Sequence, residues 1–137
     1  MDKVLILVEL INDLTNENWN YCLSGIDARE YFKNGGCYEF LKVLKHFYPE
    51  GTIMMRKDYE HCAYLVDDNI YDCSGVCNND EFVEASELDI EKLEDPYLYG
   101  RMEVKFEGKK PSDALIEEIY LCFPNQDFPF KQEVVKR

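Results

Sequence analysis

The sequence predicts an α+β fold in which N-terminal helices pack on a small antiparallel sheet. Two stretches in the first third of the chain carry apolar residues at helical spacing, and three short strand-like runs joined by turn residues follow them. The 137 residues are 46% hydrophobic and 31% charged, which is typical of a globular chain of one domain. We therefore treat residues 1–137 as a single domain.

The predicted helices precede the predicted sheet. Residues 3–15 place apolar side chains at three- and four-residue steps, and a shorter helix is expected over residues 26–33 until Asn34-Gly35-Gly36 stops it. The next helix starts at Cys37 and ends at Pro49-Glu50-Gly51. Its apolar stripe consists of Phe40, Leu41, Leu44, Phe47 and Tyr48.

Three strands follow, over residues 52–56, 61–66 and 70–73, with turn residues at Asp67-Asp68-Asn69. Because side chains alternate along a strand, we expect His61, Ala63 and Leu65 to point together toward the helix.

The last third of the chain gives weaker signals. Residues 81–93 are acidic and predict one or two helical turns, residues 102–106 predict a strand, and Pro111 stands at the start of a final helix.

The charge balance restricts the classes of partner. The formal net charge is -13, from 28 acidic and 15 basic side chains. Such a field repels polyanions, so nucleic acid and anionic membranes are excluded as favoured partners, whereas basic peptides or basic protein surfaces are attracted. Solubility alone, or an acidic decoy for a nucleic-acid-binding protein, would also account for the charge.

The six cysteines are expected to be reduced thiols. The apolar run from Val4 to Leu10 is interrupted by Glu9 and lacks a small-residue cleavage site, and no run approaches the roughly 20 apolar residues of a membrane span. These features predict a cytoplasmic location, where thiols stay reduced.

One group of residues has the chemistry of nucleophilic catalysis. A thiolate becomes a strong nucleophile when unpaired donors at a helix start and a nearby imidazolium stabilise it. Cys37 stands at such a helix start, His61 heads the second strand as a candidate base, and Asp72 lies on the following strand. A directly opposed pair across this hairpin would bring Asp72 within about 5 Å of His61 and let it orient the imidazole.

This arrangement resembles the papain-like superfamily, and more closely its transglutaminase-like branch. The residues that carry the resemblance are Gly35-Gly36-Cys37-Tyr38-Glu39-Phe40, His61-Cys62-Ala63-Tyr64 and Tyr71-Asp72-Cys73-Ser74-Gly75. They span about residues 34–76, and the spacing from Cys37 to His61 is tighter than in larger transglutaminases. The resemblance implies a minimal papain/transglutaminase-like core.

The resemblance implies acyl transfer on an amide bond through a thioester at Cys37, by a peptidase, amidase, deamidase or transglutaminase reaction on a protein or peptide substrate. The oxyanion would be bound by the Cys37 backbone N–H and by one further donor. Asn34, Asn20 and the indole of Trp19 are candidates that the sequence does not rank.

Two other functions stay open at this point. A non-catalytic inhibitor or adaptor would use the acidic surface and exposed tyrosines to engage a basic partner. A zinc site would use Cys73 and Cys77 together with Cys62 and His61, but a second close pair at ligand spacing is missing, and Cys62 is expected to face away from His61. We therefore expect no metal and no cofactor.

Overall fold

The computed structural model describes residues 2–18, 31–32, 36–95 and 109–122, and it confirms the predicted α+β class. Within these ranges there are four helices and one five-stranded antiparallel sheet. The helices are α1 (Lys3–Asn18), α2 (Cys37–Phe47), α3 (Glu87–Glu94) and α4 (Pro111–Cys122). The strands are β1 (Thr52–Arg56), β2 (Cys62–Val66), β3 (Asn69–Asp72), β4 (Gly75–Val76) and β5 (Phe82–Glu84).

The sheet has the order β4-β3-β2-β1-β5. The first four strands form a meander of consecutive antiparallel pairs, and β5 returns to the far side of β1, where Met55 pairs with Val83. β5 runs antiparallel to β1, so the chain leaves the sheet beside Ile53, and α3 then contributes residues to the same cavity as Cys37 and His61.

A two-residue turn fixes the register of the β2–β3 hairpin. Asp67 and Asp68 have φ values of 50° and 72°, in the left-handed region that aspartate tolerates better than most residues and that a tight hairpin turn requires. Val66 therefore pairs with Asn69, and Tyr64 pairs with Tyr71. This register determines which side chains of the two strands lie near one another.

The main core lies between the helices and one face of the sheet. Side chains at the first, third and fifth positions of β2 (Cys62, Tyr64 and Val66) are buried there with the apolar stripe of α2. Ala63 belongs to a smaller cluster on the opposite face, and Leu65 packs against it. The expectation that His61, Ala63 and Leu65 face the helix together is therefore wrong, because the other set of alternate side chains of β2 faces α2.

The C-terminal third departs from the sequence prediction at one strand. Phe82–Glu84 is not helical but forms β5, because its backbone pairs with β1, and the helix α3 begins only at Glu87. Ser86 starts α3 with a capping box in which its side chain and that of Asp89 each accept a backbone N–H. The final helix is confirmed from Pro111 onward.

Two predicted elements fall largely outside the described residues. Residues 31 and 32 are helical, but the rest of the helix predicted over residues 26–33 and the strand predicted over residues 102–106 lie beyond the description. Across the described ranges, every helix is too short or too polar to cross a bilayer.

The hydroxyl group of Tyr64 connects the sheet to the turn that follows α2. The residue is fully buried, and its hydroxyl donates to the carbonyl of Tyr48 at 2.6 Å and accepts the N–H of Gly51 at 3.1 Å. The substitution Tyr64→Phe leaves both backbone groups without this partner. We expect it to lower the free energy of unfolding by about 1–3 kcal/mol, measured by urea denaturation.

The control is Tyr59→Phe, because Tyr59 is 57% exposed. This change is expected to alter the free energy of unfolding by less than about 0.5 kcal/mol. Equal effects of the two substitutions would contradict the role assigned to the Tyr64 hydroxyl.

Candidate active site

Cys37 is placed by the start of α2. It is the first residue of the helix, and its side chain is only 7% exposed. The preceding residue, Gly36, has no side chain with which to cap the helix. The backbone N–H groups of the first turn and the positive end of the helix dipole therefore lie close to the sulfur.

Gly36 is required at this position for space. Its φ of -105° is open to any residue, so conformational freedom does not explain the glycine. A Cβ atom at Gly36 would instead overlap the ring of Tyr31, whose carbonyl accepts the Gly36 N–H at 2.8 Å. The second glycine of the pair, Gly35, lies outside the described residues.

His61 meets Asp72 across the β2–β3 hairpin. The distance between His61 Nε2 and Asp72 Oδ2 is 2.8 Å. The sequence predicted that His61 and Asp72 lie directly opposite each other. Since Tyr64 pairs with Tyr71, His61 instead lies diagonally from Asp72. The two side chains are long enough to meet across this diagonal.

His61 lies beside Cys37 at the wall of the same cavity, and because Nε2 is bonded to Asp72, Nδ1 is the ring nitrogen available to the sulfur. The structure thus brings Cys37, His61 and Asp72 together in the order that a nucleophile, a base and an orienting carboxylate require.

The sequence analysis missed a fourth participant, Cys62. Its Sγ donates a hydrogen bond to Cys37 Sγ at 3.2 Å, so it faces the same sulfur as His61 and not away from it. The adjacency of Cys62 to His61 was visible in the sequence. Its direction was not, because alternation alone does not show which face of β2 packs against α2.

These donors favour the thiolate form of Cys37. The pKa of the Cys37 thiol is lowered to about 4, chiefly by the hydrogen bond from the Cys62 thiol. Hydrogen bonds from His61 and from the Cys62 backbone and the charge of His61 act in the same direction, and burial opposes them.

The same contacts favour the charged form of His61. Its pKa is raised to about 9, first by the hydrogen bond to Asp72 and then by that to Cys37, against the opposing effect of burial. The pKa of Cys37 lies below that of His61, so a thiolate–imidazolium pair is the dominant form between about pH 4 and about pH 9.

Asp72 is itself held by three donors. Burial opposes its ionisation, but hydrogen bonds from His61, from the Ser74 N–H at 2.8 Å and from the Cys77 thiol lower its pKa below the ordinary value. Burial and the neighbouring carboxylate raise the pKa of Cys77 to about 12, so Cys77 keeps its proton and can donate it. Cys77 is a positioning residue that sequence reasoning considered only as a zinc ligand.

The directions of the cysteine side chains do not support the zinc site that the sequence left open. Cys62 is directed at Cys37, and Cys77 Sγ lies 4.0 Å from the carbonyl oxygen of Gly75. Over the residues that the structure describes, no group of three or more histidine, cysteine, aspartate or glutamate side chains is arranged to hold a metal ion.

A cavity of about 880 Å³ gives access to the pair. Cys37 and His61 form part of its wall, and the segment from β5 to α3 forms the side across from them. The other lining residues are Met55, Asp58, Tyr59, Glu60, Glu84, Ser86, Asp89, Lys92 and Leu93.

The candidates for the second oxyanion donor, Asn34, Asn20 and Trp19, all lie outside the described residues. His46 bonds the hydroxyl of Tyr120 at 2.9 Å on an exposed surface, as expected for a histidine two turns away from the nucleophile.

Comparison with known proteins identifies the family. A family model described as "Phage YunG-like protein" matches residues 7–110, which is well over half of the chain. The chain belongs to the Phage YunG-like family. No curated protein and no solved structure matches it.

The YunG-like match includes every side chain of the candidate site. Cys37, His61, Cys62, Asp72 and Cys77 all fall within residues 7–110, whereas α4 begins just beyond the matched range. The resemblance to the papain-like superfamily is a separate matter and stays a prediction.

The structure predicts unequal effects of two substitutions at Cys62. Cys62→Ala removes the thiol that donates to Cys37, whereas Cys62→Ser keeps a donor at that position. We expect the alanine variant to raise the pKa of Cys37 and the serine variant to raise it less. The ultraviolet absorbance of the thiolate at about 240 nm, followed as a function of pH, measures both pKa values.

The variant Cys37→Ser supplies the baseline, because it removes the thiolate whose absorbance is followed. Equal pKa values for Cys37 in wild-type and Cys62→Ala proteins would contradict the role assigned to the Cys62 thiol.

Proposed function

We propose that this YunG-like protein is a small cysteine-dependent hydrolase or acyltransferase that acts on amide bonds through a thioester at Cys37. One observation carries the proposal: Asp72 holds His61 by a hydrogen bond, and His61 adjoins Cys37 at the wall of one cavity. Cys–His–carboxylate chains of this kind activate thiol nucleophiles on unrelated folds. The papain/transglutaminase-like reading of the sequence is part of this proposal.

The first half of the reaction makes the thioester. The Cys37 thiolate attacks the carbonyl carbon of the substrate amide, and the oxyanion that forms lies near the Cys37 backbone N–H at the start of α2. The bond between carbon and nitrogen then breaks as the proton on His61 Nδ1 passes to the leaving amine. Because the resting pair is already ionised, His61 acts first as an acid and does not need to deprotonate the thiol.

The second half of the reaction releases the acyl group. His61 is now neutral and accepts a proton from the incoming nucleophile, which attacks the thioester and frees the Cys37 thiolate. Water as this nucleophile gives a peptidase, amidase or deamidase reaction, and an amine gives a transferase reaction. Asp72 keeps the imidazole ring in place in both halves.

The cavity favours a basic protein or peptide as substrate. Four of its lining residues are acidic (Asp58, Glu60, Glu84 and Asp89), against two basic ones, Lys92 and the protonated His61. Asp58 is paired with Arg56, and Asp89 caps α3, so Glu60 and Glu84 are the exposed carboxylates most available to a substrate cation. A negative cavity wall raises the local concentration of cationic ligands.

The state of the thiols supports a cytoplasmic location for this chemistry. The four cysteines whose side chains are described, Cys37, Cys62, Cys73 and Cys77, are all reduced. A thiolate nucleophile persists where the surroundings keep thiols reduced.

The pH profile of alkylation tests the activated thiolate. With iodoacetamide, Cys37 should react at a nearly constant rate from pH 5 to pH 7, since its pKa is about 4. An ordinary thiol should instead accelerate about tenfold per pH unit over this range, because its thiolate fraction rises with pH. The shape of the profile is the decisive readout, since the nucleophilicity of a thiolate falls together with its pKa.

Acylation by p-nitrophenyl acetate tests the transfer chemistry itself. We expect an acetyl group on Cys37, located by mass spectrometry, and its loss in Cys37→Ser. His61→Ala should slow acylation and deacylation by about 10²–10⁴-fold, and Asp72→Asn should slow both by less. Cys73→Ala is the matched control, since it removes a buried thiol that does not line the cavity.

If Cys37 alkylates with the pH dependence of an ordinary thiol and takes up no acetyl group, the enzyme proposal fails. The protein would then be better described as a non-catalytic acidic binding or inhibitor protein.

The preference for basic substrates is tested with chloromethyl ketone peptides that alkylate Cys37. A lysine residue beside the reactive group should give faster inactivation than a glutamate residue. The double variant Glu60→Gln/Glu84→Gln should reduce this preference by roughly fivefold at low salt, as expected for two exposed charges.

The control is Glu9→Gln/Glu91→Gln, which removes the same charge at exposed positions outside the cavity lining. An equal loss of preference in both double variants would attribute the effect to net charge and not to the cavity.

A further inference from the structure

Two cysteines meet at the candidate nucleophile, and acyl transfer uses only one of them. Cys62 Sγ lies 3.2 Å from Cys37 Sγ. A disulfide bond is about 2.05 Å long, so the two sulfurs need to approach by only about 1 Å, a movement of the kind that side-chain torsions supply. The residues lie on different elements, α2 and β2, which pack against each other in the main core.

We propose that Cys37 and Cys62 form an oxidisable pair, in which a hydroperoxide converts Cys37 to a sulfenic acid and Cys62 resolves it as a reversible disulfide. This inference shares with the proposed function only the reactive thiol of Cys37. It needs neither an amide substrate nor an acyl intermediate.

Access and orientation favour Cys37 as the sulfur that is oxidised first. Cys37 lines the cavity, whereas Cys62 is fully buried behind it and is absent from the lining. Hydrogen peroxide is small enough to enter a cavity of about 880 Å³ and reach the exposed side of the Cys37 sulfur. The thiolate form of Cys37 supports this order, because the thiolate is the species that peroxide oxidises.

The first step forms a bond between sulfur and oxygen. The Cys37 thiolate attacks one oxygen of the peroxide, the O–O bond breaks, and the second oxygen leaves as hydroxide, which takes up a proton to become water. Sulfur has lost two electrons and the peroxide has gained them.

The second step forms the disulfide. The Cys62 sulfur attacks the Cys37 sulfur, the S–O bond breaks, and the departing hydroxide combines with the proton of the Cys62 thiol to give a second water. Two thiols and one hydroperoxide have then become one disulfide and two oxygen-derived products. A dithiol reductant reverses the change by thiol–disulfide exchange and is itself oxidised to a disulfide.

The disulfide would have a direct effect on the site. It removes the thiolate that would attack a carbonyl carbon, and it removes the thiol that donates to it. The same bond protects Cys37 from further oxidation to the sulfinic acid, which is not reduced by thiols. The pair would therefore stop the activity reversibly under oxidising conditions.

The other described thiols provide an internal comparison. Cys73 is buried and is absent from the cavity lining, and the pKa of Cys77 is raised to about 12 by burial, so this thiol keeps its proton. A disulfide between Cys73 and Cys77 is thus the alternative product against which the proposed pair is judged.

The experiment treats the reduced full-length protein with hydrogen peroxide and follows it by intact and peptide mass spectrometry. We expect the loss of two hydrogens, the disappearance of Cys37 alkylation by iodoacetamide, and its return after dithiothreitol. Trypsin should release the Cys37 peptide (residues 34–42) joined to the peptide of residues 58–92. Because the second peptide also carries Cys73 and Cys77, fragment ions assign the bond to Cys62.

Two variants sharpen the result. Cys62→Ser should show no disulfide to Cys37, and Cys37 should instead gain two oxygen atoms as the sulfinic acid, which dithiothreitol does not reverse. Cys73→Ala should behave as wild type. Should Cys62→Ser fail to fold, Cys37→Ser replaces it, and its Cys62 should stay reduced at the same peroxide concentration.

A bond mapped to Cys73–Cys77, or direct conversion of wild-type Cys37 to the sulfinic acid, would overturn the inference. Failure here is distinct from failure of the proposed function. Acetylation of Cys37 without a Cys37–Cys62 disulfide rejects only the oxidisable pair, whereas the disulfide without acetylation rejects only acyl transfer.

Discussion

The candidate site depends on the packing of the first turn of α2 against the first residue of β2. The apolar stripe of α2 and the helix-facing side chains of β2 share one buried cluster, which fixes the helix relative to the strand. Because protein interiors are close-packed, such a contact leaves little freedom for the groups at its edge. It places Cys37 next to Cys62. Because His61 immediately precedes Cys62, it also places Cys37 near His61.

Burial of charged groups explains why the site contains more than three participants. A thiolate, an imidazolium and a carboxylate each resist transfer out of water, and each is tolerated only where donors or opposite charges compensate. Cys37 has the Cys62 thiol in addition to His61, and Asp72 has the Cys77 thiol and the Ser74 N–H in addition to His61. The Cys62 thiol therefore acts as a hydrogen-bond donor to the sulfur of Cys37.

The sequence predicted the elements well and the directions of side chains poorly. Helical spacing and turn residues identified α1, α2, the first three strands and α4, because these elements have long apolar patterns or clear stops. The strand β5 was missed, since three residues beside acidic neighbours carry no periodic signal and are ordered by pairing with β1.

The same limit applied to the site. The order of Cys37, His61 and Asp72 along the chain was enough to select them, because the chemistry of each residue type is visible in the sequence. The role of Cys62 was not, since alternation sorts the side chains of β2 into two faces without showing which face packs against α2. Cys77 could be assigned to Asp72 only once β4 had been paired with β3.

The residues that would perform the chemistry all come from one continuous stretch of chain. Cys37 and the pairs that support it lie between positions 37 and 77, on α2 and the strands that directly follow it. The opposite cavity wall, from β5 to α3, comes later in the sequence. The contacts among the reactive groups are made within the earlier stretch, so they do not depend on side chains of the later segment. Variation in the later segment can then change which molecules enter while the nucleophile keeps its surroundings.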